Sequence, residues 1–569
     1  MNPRPFYLGL NMAGTVSAGA YTAGVMDFLI EAIDAWYAER AQQQQQFGDQ
    51  YDRWTIPPHE VQLAVMTGAS GGGITAALAA AALSQPFNAI HDQTPAPGSK
   101  SNNLFEAWVT GIDLQPLLGH ADLDASSGKP VSLLDSTPIR DIAADALTVA
   151  NPLPARRPWV RDGLQVTLTL TNLGGVPYAV EPQTAADAAR TLYYGDRQDY
   201  NILWSNLATS PAVVRMDAKG GTAWGGAPWT ALAQTAIATG AFPIVLAPQM
   251  LSRKAGEYNH RSWRISKDDP KCDANGVCQC EEDKEMPPQW SEPDSSVVQT
   301  LNVDGGATNN SPFECARLAL AALDPAPPSG HNPRDPMLVD RAVVNIAPLS
   351  SQTDPGVPPL PAEDLPSLLA QFVQVLVAQS RMQGEDLKLT SDATKASRWV
   401  IAPTPELAGQ EPLAGALLGA FGGFISQRFR EHDYQLGRRN CQRFLTTYFG
   451  LPWDTAIMKP YGLSDATVAR LDAVYGFASE SQPPVRLFAL IPVLPPLRPA
   501  VPVVRNKITV DDLNALGDLA VDRLKRVTKG LDLLPGAVVS GAFLLFKGKI
   551  RDAIVTRASD ELKKQGFLQ

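Results

Sequence analysis

The segment "VQLAVMTGASGGGITAALAAAAL", Val61 to Leu83, constrains this chain more than any other. An apolar run of strand character enters four glycines that bracket a serine, and an alanine-rich helix former follows at once. A strand that passes into a helix over so few residues must turn sharply, and side chains near the apex would collide with neighbouring backbone unless they are glycine. The apex serine is then held outward on a strained turn, with the N-terminus of the next helix aimed at developing negative charge. Gly68-Ala69-Ser70-Gly71-Gly72 satisfies G-x-S-x-G in the strand-turn-helix context that the motif requires. Ser70 is the expected nucleophile, and Gly68 and Gly72 are the glycines that its elbow needs.

The same alternation continues through the first 320 residues. "FYLGLNM" reads as a strand, followed by a helical stripe of Val25, Phe28, Leu29, Ala32, Ile33 and Trp36. "LQVTLTLTNL" and "TLNVDGG" read as later strands. Strands alternating with helices predict an α/β fold layered on a mainly parallel sheet. At 569 residues the chain exceeds one ordinary core, so further units are expected. We divide it into a unit over 1–320 with a polar insertion at about 252–296, a Pro-rich and helical extension over 321–500, and a helical tail over 501–569.

The net charge of −10 argues against nucleic acid as a partner, and the odd count of five cysteines fits a reducing compartment better than a disulfide framework. The N-terminus reads as the first strand of the fold, and no run of 18 or more apolar residues predicts a spanning helix. The expected location is cytoplasmic. The last 65 residues carry 12 Lys/Arg against 8 Asp/Glu. Their apolar stretch "LLPGAVVSGAFLLF" is too short to span a bilayer; packing on the protein's own core is the first expectation, and peripheral membrane contact the second.

A nucleophilic serine needs a base and donors for an oxyanion. In "LNMAGTVSAGAYTAGVMDFL" a Gly-rich loop joins the first strand to the first helix, and free backbone N–H groups there can bind an anion. Gly14, Thr15 and Val16 are the expected donors, together with Gly71 beside the nucleophile. In "LNVDGGATNNSP", Asp304 ends a strand, and Gly305 and Gly306 let another backbone approach closely. A buried carboxylate there can accept the serine's proton.

Together these pieces resemble the patatin-like phospholipase family. The order matches over about residues 5–320: an oxyanion loop after the first strand, G-x-S-x-G after the next, and D-G-G near the end. "SLLDSTPIRDI", "LTLTNLGG" and "TAIATGAFPIVLAP" are similar to further landmarks of that family. The resemblance implies a three-layer αβα fold with a mainly parallel central sheet, extended here by a mostly helical C-terminal part. It implies a Ser70–Asp304 dyad without histidine, no cofactor and no metal, acting on lipid esters. One departure stands out: where the family's oxyanion signature carries Arg-Gly, the loop here reads "AGTVSAG".

Three other readings are weighed. His432 follows Ser70 and Asp304 in the Ser…Asp…His order of a triad, although it sits in an Arg-rich helical setting. A soluble esterase or thioesterase, or a silent lipid-binding or partner-binding homologue, would use the same elbow. Cys272, Cys278 and Cys280 supply three thiolates where a closed zinc site wants four ligands, so no metal is expected there. Cys315 and Cys441 read as core.

Overall fold

The computed structural model describes residues 3–91, 102–125, 129–149, 153–180, 192–202, 227–259, 262–272, 278–285, 287–324, 332–333, 335–349, 399–404, 410–480, 483–532 and 536–569. Within them, strands β1 (Phe6–Met12), β2 (Val61–Gly68), β3 (Val160–Val180), β4 (Leu192–Ile202), β5 (Gln249–Lys254), β8 (Val297–Asp304), β9 (Arg341–Ile346) and β10 (Trp399–Ile401) build one sheet. Its order is β10-β9-β1-β2-β3-β8-β5, with β4 paired to β3. From β10 to β3 every pairing is parallel; β8 runs antiparallel to both β3 and β5. Between β5 and β8, β6 (Ser262–Cys272) and β7 (Cys278–Glu285) pair only with each other.

Helices cover both faces. The longer ones are α1 (Gly19–Phe47), α2 (Ser70–Leu83), α3 (Thr137–Ala146), α4 (Ala227–Thr239), α5 (Phe313–Ala321), α6 (Gln427–Thr447), α7 (Asp465–Tyr475), α8 (Val510–Gly530) and α9 (Gly536–Lys564). Strand side chains alternate between faces, and the two halves of that alternation enter different cores. Phe6, Leu8, Leu10 and Met12 of β1 join α1, α2 and α6 in the main core, with Ala342, Val344 and Ile346 of β9. Tyr7 and Val343 turn the other way and meet Phe313, Ala316 and Leu320 of α5. A parallel strand buried on both faces is apolar at most positions, and the polar exceptions in β1 and β9 are partnered: Asn11 donates to Asn345, and Arg341 pairs with Asp340.

The sequence division at residue 320 is not where the fold divides. β9 and β10, both beyond it, are the sheet strands on the far side of β1, and the main core runs from Phe6 to Val501. A six-residue strand in a Pro-rich neighbourhood carries no period to announce itself. The insertion also starts later than read, because β5 already occupies 249–254 within the sheet.

α1 and α6 cross closely. A Cβ on Gly24 would strike the Tyr434 carbonyl, and one on Gly437 the Tyr21 carbonyl, so glycines on both helices let the backbones meet. At the crossing Arg438 forms an ion pair with Asp27, both buried, and reaches Glu31 at 2.7 Å. The predicted stripe of α1 is buried in full, from Val25 to Trp36. Among the described residues one helix, Val16–Phe47, is long and apolar enough by length and composition to cross a membrane, although Asp27 and Glu31 interrupt its apolar residues. Of its apolar window 89% is buried inside the protein.

The tail docks on its own protein. Leu513, Val555, Leu562 and Phe567 pack with Phe429 of α6 in a second core. Arg523 of α8, buried, grips Asp122 through both carboxylate oxygens at 2.6 and 2.8 Å. The side chains of "LLPGAVVSGAFLLF" lie outside the described residues.

Candidate active site

The elbow forms where β2 runs out. Ala69 is still extended (φ −127°, ψ 146°), and Ser70 turns into the left-handed region (φ 52°) as the first residue of α2. A non-glycine residue there costs on the order of 1–3 kcal/mol, and such strain persists where the surroundings fix it. The surroundings here are tight. A Cβ on Gly72 would collide with the carbonyls of Met12 and Ala13, and one on Gly68 would lie 2.7 Å from the Gly72 carbonyl oxygen. The Ser70 N–H donates to Thr239 Oγ1 at 3.0 Å.

Asp304 arrives from β8, which places it beside Leu170 of β3. Gly305 packs so closely on the Thr169 carbonyl that no side chain fits. Ser70 Oγ donates to Asp304 Oδ2 at 2.6 Å, and Gly306 N–H donates to the other carboxylate oxygen at 2.7 Å. Both residues are buried, at 4% and 3% exposure. Burial pushes the Asp304 carboxyl up to about 7, against the opposing pull of the Ser70 and Gly306 hydrogen bonds. A carboxylate poised near neutrality is the condition for a general base at neutral pH.

The loop after β1 comes to the same place, with one correction. Gly14 is not a free donor: its N–H donates to the Asn310 carbonyl at 2.8 Å. Its lack of a side chain serves packing instead, because a Cβ there would strike Asn310 and lie 3.1 Å from Ser70 Cβ. The N–H groups of Thr15, Val16 and Gly71 meet no acceptor among the described residues. Val16 also has a left-handed backbone (φ 41°) and opens the 3-10 turn that leads into α1. Two helix N-termini, those of the α1 lead-in and of α2, thus adjoin Ser70 with unsatisfied N–H groups.

A polar brace under the site holds these pieces in register. Thr67 Oγ1 donates to Asn11 Oδ1 at 2.9 Å; Asn11 Nδ2 donates to Asn345 Oδ1 at 2.8 Å and to Ser311 Oγ at 2.9 Å. β1, β2, β9 and the segment after Asp304 are joined in one buried network.

Ser70 and Asp304 sit on the wall of an apolar slot bounded by α2, α3 and α4. It leaves about 900 Å³ of empty space, its open mouth included. Phe424, from the stretch before α6, closes one side. Phe421 meets Phe242 edge-on at 5.7 Å. Gly423 N–H donates to Ser17 Oγ at 2.9 Å, and Ser17 Oγ donates to the Gly415 carbonyl at 3.1 Å. The region after residue 320 therefore supports the donor loop and completes the slot.

His432 stands apart from this chemistry. Its Nδ1 lies 2.9 Å from Asp433 Oδ1, and its ring packs edge-on against Phe567. Asp433 in turn accepts the N–H groups of Ala414 and Gly415. The Ser…Asp…His order is thus not a triad; His432 is a buried brace for the 414–415 turn. Cys441 is buried as read, whereas Cys315 is only half-buried. The side chains of Cys272, Cys278 and Cys280 lie outside the described residues, although the backbone pairs position 272 with 278. No group of three or more potential metal ligands occurs among the described residues.

Sequence reasoning missed Thr239, Asn310 and Phe424. The first lies in "TAIATGAFPIVLAP", quoted as a family landmark, and the second in "LNVDGGATNNSP", quoted for Asp304, which was the available signal. Phe424 had none, since its contact with residues 350 positions earlier follows from packing alone.

The chain matches no protein-family model. It is 32% identical over 485 residues to the "Uncharacterized protein y4iI" of Sinorhizobium fredii (strain NBRC 101917 / NGR234), an alignment covering 77% of this chain and 64% of that protein. The matched region thus spans less than two thirds of that relative's length.

Proposed function

We propose that the protein is a serine acyl hydrolase of the patatin-like phospholipase type, cleaving fatty-acid esters of lipids. The observation that carries this reading is the 2.6 Å hydrogen bond from Ser70 to Asp304 on the wall of an apolar slot. Ser70 Oγ attacks the ester carbonyl carbon as its proton passes to Asp304. The carbonyl oxygen becomes an oxyanion within reach of the Thr15, Val16 and Gly71 N–H groups. As the C–O bond to the alcohol breaks, Asp304 returns the proton to the leaving oxygen. A water then gives a proton to Asp304 and attacks the acyl-serine; as the bond from the acyl carbon to Ser70 Oγ breaks, Asp304 returns that proton to Oγ and the fatty acid leaves.

Backbone donors need no arginine, so the "AGTVSAG" loop is compatible with this chemistry. The apolar lining suits a hydrocarbon chain and offers little to a polar acyl group. Hydrolysis of a panel of phospholipids and neutral lipids by the wild type and by Ser70→Ala tests the reading. Ser70-dependent release of fatty acid supports it, and equal rates for both proteins refute it. Comparing monomeric with micellar esters separates a lipase, which gains at an interface, from a soluble esterase. We further place the protein in the cytoplasm, with any membrane contact peripheral.

A further inference from the structure

Two helices turn matching stripes into the slot. α2 contributes Ser70, Gly71, Ile74 and Leu78, a four-residue spacing that keeps one face of the helix along the cavity. α3 contributes Ile139, Ile142, Ala143 and Ala146, again one face. The slot therefore runs along α2, away from the nucleophile. At its far end the helices are tied together: Asn103, buried, donates from Nδ2 to the carbonyls of Leu78 at 2.9 Å and Ala146 at 3.0 Å. Leu78 and the adjoining Leu147 are themselves buried. The other end of α3 lies near solvent, where Leu133 pairs with the carbonyl of Ile244, a side chain 69% exposed.

Resting on the hydrolase reading, we propose that this slot is an acyl ruler that selects medium-chain acyl groups of about eight to ten carbons, with Leu78 and Ala146 forming its floor. From Ser70 to Leu78 the α2 axis rises roughly 12 Å at 1.5 Å per residue. An extended chain advances roughly 1.2 Å per bond, so about ten bonds fill that length. Each methylene buried up to the floor adds about fourfold to kcat/KM. Beyond the floor a longer chain must bend back against packed side chains, and the gain turns into a loss.

The experiment measures kcat/KM for one chromogenic alcohol esterified with acyl chains of four to sixteen carbons. Wild type is compared with Leu78→Ala, which deepens the floor, and Ala146→Leu, which raises it. A parallel titration follows binding of free fatty acids of the same lengths to Ser70→Ala, which reads the slot without chemistry. We expect a wild-type optimum at eight to ten carbons and at least a tenfold loss by sixteen. The optimum should move about two carbons longer in Leu78→Ala and about two shorter in Ala146→Leu, with fatty-acid affinity breaking at the same lengths. Ser70-dependent hydrolysis with a flat profile, or an optimum that neither folded variant moves, overturns the ruler and leaves the hydrolase reading intact. Fatty-acid binding that breaks at the expected length without hydrolysis of any ester overturns the hydrolase reading and keeps the ruler.

Discussion

Asp304→Asn separates what this carboxylate does for chemistry from what it costs the fold. Burial raises its pKa from 3.8 to about 7 in the folded protein. Between those values the folded state holds a proton that the unfolded state has lost, so stability falls as pH rises through this window. At about 1.36 kcal/mol per pKa unit, the full effect is about 4 kcal/mol, with about 2–3 kcal/mol of it accruing between pH 5 and pH 8. Asparagine keeps the shape and an oxygen for the Gly306 N–H but carries no charge to desolvate. Urea unfolding of both proteins at pH 5 and pH 8 isolates the term, because every other titrating group is common to both. The variant should gain on the wild type by about 2–3 kcal/mol over that interval, while hydrolysis drops at least a thousandfold. Wild-type kcat/KM should rise about tenfold per pH unit below 7 and level off above it, as the base form fills. Parallel pH dependence of stability in the two proteins would show that Asp304 is not a desolvated base, and the catalytic assignment would go with it.

Other tests follow from particular contacts. Ser70→Ala should abolish labelling by a fluorophosphonate probe and leave the circular dichroism spectrum unchanged. His432→Ala should keep activity within about threefold, since its partner is Asp433, while lowering the thermal midpoint. Phe424→Ala should raise KM for a medium-chain ester about tenfold with a smaller change in kcat, because it removes a wall of the slot and none of its donors. Arg438→Met should destabilise by about 3–5 kcal/mol in urea, by leaving Asp27 buried without its cation. Adding Asp27→Asn should recover a large part of that loss.

The site was more legible than its support. Ser70 and Asp304 announced themselves because each sits where turn chemistry dictates the residues: Gly72 faces the Met12 and Ala13 carbonyls, and Gly305 faces that of Thr169. Such demands are local and leave a pattern of glycines. Gly14 was legible as a glycine and not in its role, because the carbonyl that takes its N–H belongs to Asn310, far along the chain. The continuation of the sheet past residue 320 was hidden for a related reason. "RAVVNI" is a short run of six with Arg341 and Asn345 among its apolar residues, and only its pairing with β1 makes it a strand of the main sheet. The crossing of α1 with α6 depends on glycines that, in sequence, are merely unremarkable residues inside helices.

The position of β1 has a consequence for how the molecule is made. Its neighbours are β2, translated soon after it, and β9, which begins 329 residues after β1 ends. While the ribosome works through that interval, the first strand has one edge unpaired and Asp27 has no guanidinium to meet. At roughly 5–20 residues per second, the stretch from Asp304 to Arg438 alone occupies on the order of ten seconds. Ser70 and Asp304 have both emerged before that stretch is made, yet the helix that braces the loop beside them has not. The Ser70–Asp304 pair thus waits for residues well over 100 positions downstream of it, and a nascent chain released before them carries both side chains without the architecture that holds their surroundings in place.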